Sequence, residues 1–159
     1  MSENLTLNEY MKEDAFLFDN ISTEICKKET TNYELLLEQC KNFEDNLVLF
    51  KILPTYYVMK TILCFKLDDY ETAHKYINGS LKYLLYVAKN ASELSEQEQK
   101  NFDEYKSNVI DQYKILTTEH PEYLNNKNII LPDTVKFITT NDEKMIEEEV
   151  NTRLIRRQK

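Results

Sequence analysis

The chain has 159 residues, enough for one domain that buries about 70% of the surface its unfolded form exposes. Gly occurs once and Pro three times, a composition that suits long helices and leaves little material for tight hairpins or phosphate-cradling loops, so the expected fold class is all-α, an antiparallel helical bundle. Twenty Lys and Arg against 28 Asp and Glu give a net charge of -8, which repels a phosphate backbone or an anionic membrane and removes nucleic acid from the expected partners.

Cys26, Cys40 and Cys64 are odd in number, far apart, and each on an apolar-periodic position. That pattern points to buried thiols in a reducing compartment rather than a disulfide framework. With two histidines in the chain, zinc ligation is not expected. The N-terminal MSENLTLNEYMKEDAF carries acids and no continuous apolar run, so neither a secretory signal, a transit peptide nor membrane insertion is expected. The expected location is cytoplasmic or nuclear.

Leu7, Tyr10, Met11, Phe18, Ile21 and Ile25 recur at three- and four-residue steps and predict a first helix from Leu7 to Lys28. Asp14 interrupts its apolar face, and Phe16 and Leu17 lie off it, which leaves open a break near Asp19 and Asn20. Thr31 and Glu34 form a capping box for a second helix with the stripe Tyr33, Leu36, Leu37, Cys40, Phe43, Leu47 and Phe50. Pro54 disfavours helical geometry at Leu53, so this helix should stop there, and the proline then opens a third.

Apolar side chains from Tyr56 to Leu67 occur on nearly every side of that third helix, which suits a central position or a surface shared with a partner. Asp68 and Asp69 cap a fourth helix reaching about Asn90, with Tyr70, Ala73, Ile77, Leu81, Leu84 and Ala88 along one face. Gly79 inside it costs about 1 kcal/mol relative to Ala, so its presence suggests a helix crossing where another backbone comes close.

Ser95 and Glu98 make a second capping box, and Phe102, Tyr105, Val109, Tyr113 and Leu116 carry a fifth helix to about Thr118. Residues 119–141 read as an ordered loop in which Tyr123, Leu124, Ile129, Ile130 and Leu131 pin the chain, with a short turn or strand from Lys136 to Thr140. Asp142 begins a last amphipathic helix or tail, 142–159, with acids early and bases late as the helix dipole prefers. Glu149 and Arg153 within it are spaced for an ion pair. The expected organisation is a helical bundle over 1–118, the loop, and this C-terminal helix.

At residues 54–90 the chain resembles a tetratricopeptide repeat, a helix-turn-helix unit of about 34 residues. Tyr57 stands at the large aromatic position, Thr61 at a small one, and Cys64 at the following apolar one. LDDYETA fills the turn, with Tyr70 and Ala73 at its aromatic and small positions and Asp68 in place of the usual glycine. Ile77 and Ser80 fall on the second helix. The match covers about one repeat, so helices two and five are expected to pack beside it. The resemblance implies a ligand groove on the inner face of the third helix, at Thr55, Val58, Ile62, Phe65 and Lys66. Those positions are mostly apolar, and Val58 and Ile62 replace the residues that clamp a terminal carboxylate in some members, so the implied ligand is an apolar helix or extended peptide.

The central helices are also similar in length and pattern to the MIT modules that bind ESCRT-III tails. The C-terminal EEEVNTRLIRRQK resembles the MIT-interacting helix of such tails, with Glu147, Val150, Arg153 and Leu154 matching and Arg157 in place of a last leucine. Read together, these features lead us to expect a non-catalytic adaptor or scaffold, with no cofactor, that binds another protein. One alternative is a permanent subunit of a larger complex docking through its C-terminal helix. Another, of a different class, is a small enzyme using scattered carboxylates or His74; no nucleophile is set beside His74 or His120 in sequence.

Overall fold

The computed structural model describes residues 5–27, 32–90, 93–125 and 130–158. They form an all-α helical bundle fold with six α-helices and no strand among the described residues. The helices are α1 (Leu7–Cys26), α2 (Tyr33–Asn46), α3 (Leu53–Lys66), α4 (Tyr70–Asn90), α5 (Glu96–Glu119) and α6 (Glu143–Arg157). The chain divides into two compact units, Met1–Leu53 with Thr140–Lys159, and Pro54–Thr139. No helix of the described residues is long and apolar enough to cross a membrane.

Local signals start these helices. Thr6 and Glu9 form a capping box at α1, and Ser95 and Glu98 form the expected one at α5. Asn32 accepts from the Leu35 N–H at α2; Thr31, the expected cap, lies outside the described residues. Asp69 takes the Thr72 N–H at α4 and Asp142 the Met145 N–H at α6. Each such bond satisfies an orphan donor and stabilises its helix by about 1 kcal/mol. α1 passes through Asp19 and Asn20 without a break.

In the first unit, α1 packs along α2 and buries Tyr10, Asp14, Phe18, Ile21 and Ile25. Leu36, Cys40 and Phe43 are the buried residues of α2, and the Phe18 and Phe43 rings lie 6.1 Å apart. Cys26, expected to be buried, is exposed at the end of α1, whereas Cys40 and Cys64 are buried. Contrary to the periodicity, α2 does not continue to Leu53. It ends at Asn46, and a 3₁₀ turn at Phe50–Ile52 precedes α3. Leu47, Val48, Leu49 and Phe50 are all buried, and four consecutive side chains cannot all face inward from a helix that buries a single stripe.

Leaving the helix strands backbone groups that need partners. Asp14, which breaks the apolar face of α1, supplies them on one side: its carboxylate accepts from the N–H groups of Val48 (2.8 Å) and Leu49 (3.2 Å). Arginines of α6 supply the other side. Arg153 donates to the carbonyls of Glu44 (2.8 Å) and Leu47 (3.1 Å), Arg156 to that of Asp45, and Arg157 to that of Asn46 (3.1 Å). Arg157 also pairs with Asp14 at 2.8 Å, and the expected Glu149–Arg153 pair forms at 3.0 Å. The two guanidiniums cover rings as well, Arg153 lying 5.3 Å from the Phe50 centroid and Arg157 4.6 Å from that of Tyr10.

In the second unit, α4 packs along α5, as expected, while α2 pairs with α1 within the first. The buried face of α5 carries Val109, Gln112 and Leu116, so Gln112 takes the inward place expected for Tyr113. Between α5 and α6 the chain forms 3₁₀ turns at Pro121–Asn125 and Asp133–Phe137, the latter replacing the expected turn or strand at Lys136–Thr140. The residues that hold this segment are Pro132, Thr134, Val135 and Phe137, all buried, rather than Ile130, which is exposed; Ile129 lies outside the described residues. The Pro132 ring rests on Gly79: a Cβ there would stand 2.9 Å from its Cδ and Cγ and 3.3 Å from Cδ2 of Tyr57. The close approach read from Gly79 is thus made by a proline ring of the later segment, not by a crossing helix.

Three substitutions test these contacts. Asp14→Asn should lower the unfolding free energy by about 2–4 kcal/mol, because it breaks a buried charge pair and weakens the acceptor for two buried N–H groups. Urea unfolding measures the loss, and hydrogen exchange should quicken at Val48 and Leu49. Gly79→Ala gains about 1 kcal/mol of helix propensity yet should be destabilising by about 1–2 kcal/mol net, because overpacking against Pro132 outweighs that gain. Adding Pro132→Ala should restore most of the difference in the same unfolding assay.

Candidate functional site

The hairpin of α3 and α4 carries the positions singled out for partner binding, and its turn sets their geometry. Asp68 adopts a φ of 55°, the left-handed conformation that usually selects glycine after a helix. The Asp69 N–H reaches back to the Cys64 carbonyl (2.9 Å) and the Asp68 N–H to that of Phe65 (3.2 Å), the paired bonds of a Schellman turn. A short polar side chain tolerates this backbone, and the Asp68 carboxylate accepts from the Tyr70 hydroxyl at 2.9 Å. That bond is the main cause that raises the Tyr70 phenol above its usual value.

One side of α3 is sealed. Tyr56, Tyr57, Thr61, Leu63 and Cys64 are buried, as are Ala73, Tyr76, Ile77 and Ser80 of α4. The Tyr56 and Tyr57 rings lie 6.2 and 5.6 Å from that of Tyr76, in edge-on arrangements that favour aromatic pairs. Thr61, Ala73 and Ser80 are fully enclosed. The Tyr57 hydroxyl meets that of Thr134 at 2.6 Å.

The other side differs. Val58, Ile62 and Phe65 are half-buried and Lys66 is exposed, so an apolar stripe with a terminal cation stays partly uncovered. Gln112 of α5 donates to the Val58 carbonyl at 3.0 Å, tying that helix to the stripe. Towards the turn, the Phe65 ring lies 6.1 Å from Tyr70. Tyr70 stacks on His120 with centroids 3.5 Å apart, and Tyr123 lies 5.9 Å from Tyr70. This aromatic group was not legible as a unit, because His120 and Tyr123 come from the far end of α5 and the turn after it.

The candidate residues of α6 lie elsewhere, in the first unit. Val150 and Leu154 are half-buried and Arg153 is buried. The guanidinium that a docking helix would present to another protein is bonded to the chain's own Glu44 and Leu47 carbonyls at the end of α2.

Burial lowers the His74 pKa, with a bond to the Tyr123 backbone acting the opposite way. Burial also pushes the Tyr83 and Tyr105 phenols up, so both remain protonated near neutrality. Among the described residues no group of three or more His, Cys, Asp or Glu side chains is arranged to hold a metal ion.

Because the folded pKa of His74 lies below the usual 6.5, the unfolded chain takes up this proton first on acidification. Its contribution to stability is therefore complete above that value and declines as the pH falls through the folded pKa. Urea midpoints measured from ~pH 7 to ~pH 5 should fall more steeply for the native chain than for His74→Gln, which keeps a polar group but cannot titrate.

Against known proteins, the chain matches no family model, no curated protein and no solved structure.

Proposed function

We propose that this chain is a non-catalytic protein-interaction module, an adaptor or scaffold whose α3–α4 hairpin works as a tetratricopeptide-like surface. Its ligand is an apolar helix or extended peptide of another protein, received along Val58, Ile62 and Phe65 with Lys66 at the end. The observation that carries this reading is the asymmetry of α3: side chains on its sealed side are buried, while these three apolar ones are only half covered. Partly exposed apolar side chains in line on a helix form a strip on which the apolar face of a partner helix or peptide can rest. Docking through α6 has less support, since Arg153 and Arg157 are engaged within their own unit.

The test is affinity purification from the native cell with the wild-type chain and with Ile62→Asp combined with Phe65→Asp, followed by mass spectrometry. Both positions are half-buried, so circular dichroism first establishes that the double variant is folded. A partner recovered with the wild type should disappear with the folded double variant; equal recovery with both would refute the proposed surface.

A further inference from the structure

The rings beside the hairpin turn are neither core nor isolated. Tyr70 stacks on His120 at 3.5 Å, and Phe65 and Tyr123 lie 6.1 and 5.9 Å from it. The Tyr123 N–H donates to the His120 carbonyl at 3.3 Å, so the 3₁₀ turn after α5 carries both of its rings to one place. All four rings are half-buried, which makes them an aromatic surface continuous with the α3 stripe at Phe65. Acids border it. The Asp68 carboxylate holds the Tyr70 hydroxyl at 2.9 Å, and a Glu122 oxygen stands 3.6 Å from Nδ1 of His120. Asp68 and Glu119 also act on the Tyr70 phenol through their charge, and both raise it, so the field at that ring is negative. Over 65–71 and 119–123 five Asp and Glu stand against one base, Lys66.

We infer that this surface receives an arginine of the partner polypeptide, its guanidinium laid on the rings of Tyr70, His120 and Tyr123 and its charge met by Asp68, Glu119 and Glu122. The inference rests on the reading of α3 as the partner surface and names the residue that the partner carries beyond its apolar segment. Aromatic faces attract a cation. A guanidinium is planar and weakly hydrated, so it stacks on rings, whereas an ammonium is a strongly hydrated point charge. Carboxylates accept its N–H groups in charge-assisted bonds. Asp68, Glu119 and Glu122 are exposed, and Asp68 keeps acceptor capacity after its bond to the Tyr70 hydroxyl. An acidic partner segment is repelled by the same border, and a purely apolar one gains nothing from it.

The test titrates the full-length protein with an acetylated, amidated triarginine peptide, and with trilysine and triglutamate peptides at matched ionic strength. The ring NMR signals of Phe65, Tyr70, His120 and Tyr123 are followed. Saturable shifts are expected with triarginine, weaker binding with trilysine and none with triglutamate. Tyr70→Leu should weaken triarginine binding by about threefold or more, the worth of one cation–ring contact. Glu119→Gln combined with Glu122→Gln, both at exposed positions, should weaken it by about two- to fivefold, and carries the comparison if Tyr70→Leu does not fold. Ile62→Asp alters the stripe and not the rings, so it separates this inference from the reading beneath it. Partner recovery lost with folded Ile62→Asp but unchanged with folded Tyr70→Leu refutes the arginine site and leaves the stripe, and the reverse result refutes the stripe. Absence of a saturable shift at these rings, equal binding of trilysine, or undiminished triarginine binding by the folded variants overturns the inference and leaves the rings as packing alone.

Discussion

The first unit depends on how the end of α2 is satisfied. Four successive carbonyls, from Glu44 to Leu47, accept bonds from arginines of α6, and the two N–H groups that follow are taken by Asp14. A helix C-terminus carries partial negative charge, and guanidiniums placed there satisfy the orphan carbonyls and the dipole together. The planar five-donor fork lets a single side chain reach several acceptors in a fixed geometry, whereas a lysine offers three donors from one point on a flexible stem. Arg153 is the only buried residue of α6, so polar bonds as well as apolar contact fasten this helix. The same arrangement explains an acid inside the apolar stripe of α1: Asp14 is paired by Arg157 and consumed by backbone donors.

The second unit has the opposite character. Its hairpin is closed by tyrosines and small residues, and the later Pro132 segment fills the space that Gly79 leaves open. Sealing is one-sided, which leaves a side of α3 half covered. Tyr57 joins both roles, since its ring packs on Tyr76 while its hydroxyl meets Thr134.

Much of the fold was legible because it is written in short-range signals. The capping box at Ser95, the acids before α4 and the dipole-matched charges of α6 act over one helical turn, and each sits where the chain begins or ends a helix. The end of α2 was misread because Leu47 and Phe50 keep the helical spacing while the backbone departs; what permits the departure is Asp14 and α6, both remote in sequence. Gln112 was passed over for the same kind of reason, as an amide faces inward only when an acceptor such as the Val58 carbonyl awaits it. At the candidate site, the apolar identity of Val58, Ile62 and Phe65 could be read from spacing, but their partial exposure depends on which neighbours cover α3. The tertiary commitment of Arg153 left no local trace.

The pairing of Asp14 with Arg157 joins residues 143 positions apart. The unit it closes is therefore discontinuous along the chain, whereas Pro54–Thr139 is contiguous. On a ribosome, the contiguous piece is complete while the arginines that fasten α2 have yet to be made, a delay of about 5–20 s after Leu53 at ordinary elongation speeds. During that interval the carbonyls from Glu44 to Leu47 lack their guanidinium donors, so the end of α2 is satisfied by water until α6 has been made.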